Sequence, residues 1–94
     1  MGKILILAKY IFLIYSADIY EKRRHIHCTY AYRGHKSSCK FWLEPIIEVD
    51  RNKKGDFSNK ELNEICKLIE ENIDIINHQL DRFYQNETVK AIRK

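Results

Sequence analysis

A small α+β domain is what these 94 residues predict: an antiparallel sheet of three to four strands packed on one long C-terminal helix. Three observations carry the prediction. Residues 4–15 are almost entirely aliphatic or aromatic, two strand-like segments flank Gly34-His35, and apolar residues recur at steps of three and four from 58 to 84.

The first strand is assigned to about residues 4–15. Its aromatic and aliphatic residues suit a pleated surface, and both faces are apolar, as in a strand covered on two sides. Ile4 to Leu7 either begins it or forms a short strand of its own. Residues 16–24 are polar enough to be a connection.

The next strands are placed at about 25–33 and 36–43, joined by a type II′ turn with Gly34 at its first central position. A two-residue turn sets Ile26 across from Leu43, Cys28 across from Phe41 and Tyr30 across from Cys39. That face is apolar and is expected to meet the helix. The other face carries His25 opposite Glu44, His27 opposite Trp42 and Thr29 opposite Lys40. In this register Cys28 and Cys39 are diagonal neighbours, so no disulfide is expected between them.

Pro45 marks a bend, after which residues 46–49 make a last short strand. Residues 50–56 are turn-rich. Ser58 followed by Glu61 has the spacing of a capping box, which places the helix start. From there Leu62, Cys66, Ile69, Ile73, Ile76, Leu80 and Phe83 form the stripe that should cover the sheet. The tail, 86–94, either frays or docks through Val89 and Ile92.

Composition narrows the function classes. The length supports one domain spanning 1–94. Seventeen Lys and Arg against thirteen Asp and Glu leave a formal charge of +4, spread along the chain, which favours anionic partners only weakly. Cys28, Cys39 and Cys66 are an odd set without C-x-x-C spacing, so they are read as reduced thiols of a cytoplasmic protein. Lys9 interrupts the N-terminal apolar run well short of the about 18 residues of a membrane span. No nucleotide-loop, serine-hydrolase or zinc-protease motif occurs, and no cofactor is expected.

Three constellations could carry chemistry. His25 and His27 project to one strand face about 7 Å apart and could share a metal with Glu44, although a plain solvent-exposed pair is the simpler reading. Arg23 and Arg24 on phosphates, with His25 and His27 as general acid and base, would supply what metal-independent RNA cleavage needs. Trp42 beside Lys40 could contact RNA or a protein partner.

Lys40-Phe41-Trp42-Leu43-Glu44-Pro45, with Asp56-Phe57-Ser58, Lys60-Glu61-Leu62 and Ile69-Glu70-Glu71-Asn72, resembles the domain of unknown function 4160 family of small bacterial proteins. Its pattern is a His-x-His pair, a strand ending in Lys-x-Trp-Leu-Glu-Pro, and a Ser-capped helix. His25, His27, Lys40, Trp42, Leu43, Glu44, Pro45 and Ser58 match it. Arg23 and Arg24 stand where that pattern has two prolines, and Leu80 replaces a tryptophan. The resemblance implies a gene pair with a second small protein, in a toxin–antitoxin-like arrangement. The expectation is therefore a cytoplasmic interaction protein whose partner is a second small protein or another copy of itself. It would bind through Arg23, Arg24, Lys40, Trp42 and Glu44. An endoribonuclease acting through the Arg23-Arg24-His25-Ile26-His27 segment is the alternative.

Overall fold

Ala8 and Lys9 divide the apolar N-terminal run into a hairpin. The computed structural model describes residues 2–15, 20–31 and 38–94. In it β1 (Gly2–Leu7) turns directly into β2 (Tyr10–Ile14), with Leu7 opposite Tyr10. Of the two readings of residues 4–15, the one with a separate short strand at Ile4 to Leu7 is the one observed. Ala8 makes the reversal by adopting a left-handed φ of 49°, a conformation that glycine or asparagine normally supplies.

The sheet is also larger than expected. To β1 and β2 are added β3 (His25–Tyr30), β4 (Cys39–Trp42), β5 (Glu48–Val49) and β6 (Ile92–Arg93), in the order β5-β4-β3-β2-β1-β6. All neighbours are antiparallel except β1 and β6, so the sheet is mixed. The tail therefore docks, with Leu5 paired to Ile92 and Val89 packed on the core.

Pairing of β3 with β4 is displaced by two residues from the expected register. Ile26 faces Phe41 and Cys28 faces Cys39, and His25 faces Trp42 rather than Glu44. The two cysteines are direct rather than diagonal neighbours; both are buried free thiols, and burial beside Cys39 holds the Cys28 thiol well above its ordinary range. A shift of two leaves every side chain on its expected face, because strand residues alternate with period two. The proposed Gly34-His35 turn lies outside the described residues.

The helix stripe folds as two segments rather than one. α1 (Asn59–Glu71) and α2 (Ile73–Tyr84) meet at Asn72, whose φ of −121° leaves the helical region. Asn72 holds the break: its Nδ2 donates to Leu68 O at 2.8 Å, and its Oδ1 accepts from Lys94 Nζ at 2.8 Å. Ser58 starts α1 with the expected reciprocal cap, accepting from the Glu61 amide while the Glu61 carboxylate accepts from the Ser58 amide. Phe57, just before the cap, stacks on Tyr30 with ring centroids 4.5 Å apart.

At the far end Asn86 takes φ 62°, and the Asn86 and Glu87 amides close back on Phe83 O and Arg82 O at 3.0 Å. This left-handed exit satisfies carbonyls that the end of α2 would otherwise leave unpaired. Leu62, Ile65, Ile69, Ile76 and Leu80 are buried against Ile26, Cys28, Phe41 and the β1–β2 hairpin. Burying each large aliphatic side chain contributes about 1.5–3 kcal/mol, so this one seam accounts for much of the cohesion between helices and sheet. Neither helix is long and apolar enough to cross a membrane.

Candidate functional site

Strand alternation sends Ile26, Cys28 and Tyr30 toward the helices and His25, His27 and Thr29 to the other face. On β4 the same rule turns Cys39 and Phe41 inward and Lys40 and Trp42 outward. Register then brings His25 beside Trp42 and His27 beside Lys40. The His25 and His27 ring centroids are 5.4 Å apart and nearly perpendicular, and the edge of Tyr15 meets His27 at 4.7 Å.

This second face is not open to water in the way a plain surface pair would be. His25 is fully buried, Lys40 is 4% exposed and His27 is 8% exposed, which corrects the solvent-exposed reading of the histidines. Leu13 of β2, paired with His27, is also fully buried.

Glu21, from the β2–β3 connection, organises the buried polar groups. Its Oε1 lies 2.5 Å from Lys40 Nζ and its Oε2 lies 3.5 Å from His25 Nε2. A buried ammonium needs such a counter-charge, because desolvation would otherwise outweigh any local gain. His25 Nδ1 donates to the Arg23 carbonyl at 3.0 Å, which places a proton on that nitrogen. Trp42 carries two cations on its ring, Lys40 Nζ at 4.2 Å and Arg23 Cζ at 4.4 Å from the centroid.

The two arginines part company. Arg23 donates through Nε to Glu44 O at 2.6 Å and pairs with Glu48 at 2.8 Å on the Trp42 side. Arg24, the next residue, points toward α2, where it donates to Asn77 Oδ1 at 3.1 Å and pairs with Asp81 at 2.7 Å. Glu44 accepts from the Arg24 amide at 3.3 Å instead of facing His25. Of the predicted site residues, then, the fold gathers Arg23, His25, His27, Lys40 and Trp42, and sets Arg24 and Glu44 apart. Among the described residues no three His, Cys, Asp or Glu side chains gather as metal ligands.

Residues 10–79 match the model of a family described as a domain of unknown function (DUF4160). The chain belongs to this family. The matched span runs from the first residue of β2 into α2, so it holds the whole His25–Trp42 network, whereas β1 and β6 lie beyond it. No curated protein and no solved structure matches the chain. Where the DUF4160 resemblance leads one to expect two prolines, Arg23 and Arg24 hold the approach to the histidines by hydrogen bonds and ion pairs instead.

Sequence reasoning missed Glu21, Tyr15 and the carboxylates that neutralise the arginines. Glu21 carried no signal beyond one acid in a polar connection. Tyr20 and Ile46, at 84% and 62% exposure, were missed as well, although both interrupt otherwise polar or turn-like stretches.

Proposed function

We propose that this DUF4160 protein is a cytoplasmic interaction protein, one half of a toxin–antitoxin-like pair, and that its partner seats on the rim around Trp42. The supporting observation is the exposure of Tyr20 and Ile46 on two loops that Arg23 ties together. Tyr20 precedes Glu21, which grips Lys40, and Ile46 follows Glu44, whose carbonyl accepts from Arg23. Exposed aromatic and aliphatic side chains on loops tied to a part-exposed tryptophan and an arginine are what protein contacts use as anchors.

Cleavage of RNA draws less support from this arrangement. Arg24 is turned to α2 and His25 has no exposed surface, so the four residues do not converge on a site where a phosphodiester could sit.

The test is affinity capture from the source cells with the tagged chain and with a Tyr20→Ala, Ile46→Asp variant. The wild type should retain one protein in stoichiometric amount, and the variant should lose it while keeping its thermal midpoint. A monomeric wild type without such a companion, or a companion retained by the variant, would sink the proposal. Recovery of RNA in its place would favour the alternative.

A further inference from the structure

On the opposite flank of β4, the edge strand β5 and the first turns of α1 enclose a cavity of about 380 Å³, lined by Val49, Arg51, Lys54, Asn59, Leu62 and Asn63. Its chemistry is divided. Leu62 is buried and Val49 half-buried, giving an apolar floor, while Arg51, Lys54 and the two asparagines are exposed at the rim.

Among the described residues no acidic side chain lines the cavity, and three nearby carboxylates have partners of their own. Glu48 pairs with Arg23, Asp50 accepts from the Asn52 amide at 3.1 Å, and Glu61 accepts from the Tyr30 hydroxyl and the Ser58 amide. Among the described residues no ion pair involves Arg51 or Lys54. The cavity thus joins an apolar floor to a rim whose charged side chains are Arg51 and Lys54.

Backbone geometry adds a direction. The Asp50 amide donates to Lys40 O at 2.8 Å, so the adjacent Val49–Phe41 pair is of the non-hydrogen-bonded kind. The N–H and C=O of Val49 therefore turn outward, along a sheet edge that no further strand covers among the described residues.

We propose that this cleft receives the C-terminal residues of a partner polypeptide that ends in an aliphatic side chain. The last side chain rests on Val49 and Leu62, the peptide backbone pairs with the outer edge of β5, and the terminal carboxylate meets Arg51 and Lys54. Each part of the cleft then has a use. Inorganic phosphate would leave the apolar floor and strand edge unused, and among the described residues the lining offers no aromatic ring on which a nucleic-acid base could stack.

Fluorescence anisotropy with labelled octapeptides ending in Val, Leu or Ile, each as free acid and as C-terminal amide, tests this. Free acids should bind saturably, and amidation should weaken binding by about tenfold or more, since it removes the charge-assisted contacts. Arg51→Ala with Lys54→Ala should lose as much while melting at the wild-type temperature, both side chains being exposed. Equal binding of acid and amide, absence of saturation by about 1 mM peptide, or displacement of bound peptide by an equal concentration of oligouridylate would each overturn the assignment. Because the cleft is separate from the Trp42 rim and the isolated protein is used, this outcome is independent of the capture experiment above.

Discussion

Lys40 shows how far one side chain can be read in isolation. It presents as a basic residue on an outward face, yet its ammonium is nearly buried, stacked on Trp42 and neutralised by Glu21, which is itself 39% exposed. Removing the two partners should therefore cost different amounts. Glu21→Gln leaves a buried cation unmatched and is expected to cost about 2 kcal/mol, while Lys40→Met exchanges the charge for an apolar stem and should cost less than about 1 kcal/mol. Urea titration of both variants checks this, and equal losses would mean that the ammonium reaches water. Glu61 offers a second test, of pH dependence. The Tyr30 hydroxyl, and then the Ser58 amide, hold its carboxyl below the usual carboxylate range. A carboxyl with a lowered folded-state pKa contributes stability that is complete above that range and is lost as pH falls through the lowered value. The stability gap between wild type and Glu61→Gln should be constant from about pH 6 to 8 and should narrow progressively as pH falls below the ordinary glutamate range, about 4.3. A gap that persists in acid would show that the carboxylate charge is not what Tyr30 and Ser58 recognise.

Among the elements, what was legible followed from periodicity, and what was not followed from turns lacking their usual residues. The cap at Ser58 and the two faces of β3 and β4 were readable because serine-glutamate spacing and period-two alternation have few alternative explanations. The register was misplaced because it was anchored on Gly34-His35, but a two-residue displacement preserves parity and so the faces survived. The N-terminal hairpin was hidden because its turn residue is Ala8, without the glycine or asparagine that its φ of 49° would favour. Ala8→Gly should accordingly stabilise the protein by about 0.5–1 kcal/mol, after allowance for the greater entropy of unfolded glycine. A lowered thermal midpoint would count against a left-handed turn there. The break at Asn72 was hidden for a similar reason: an asparagine among helix-spaced isoleucines reads as one polar position, and its bond to Lys94 is invisible locally. The burial of His25 and His27 was not readable because the residue that encloses them, Glu21, lies in a stretch without periodicity.

For the molecule as a whole, a second buried amide, beside the Asn72–Lys94 bond, joins the helices to the outer sheet edge. Gln79 is 2% exposed, and its Nε2 donates to Ile4 O at 3.2 Å and Lys90 O at 2.7 Å, tying α2, β1 and the approach to β6 together. Gln79→Leu should cost about 1–3 kcal/mol, because two carbonyls lose their donor. In the same variant, amide hydrogens of residues 90–94 should exchange much faster than those of β3. Uniform acceleration across the sheet would instead indicate that the tail and core open as one unit. The parallel pairing of β6 on β1 has a further consequence for the order in which the chain can be completed. β1 precedes its outer neighbour by 87 residues, from Leu5 to Ile92, with the Lys94 amide closing on Ile6 O at 3.0 Å. During vectorial synthesis β1 and β2 can form their hairpin at once, but the outer edge of β1 stays bare until the downstream residues leave the ribosome. In that interval the nascent protein presents an apolar strand edge able to recruit a neighbouring chain, and the two-residue strand that later covers it acts as the protein's own guard against that encounter.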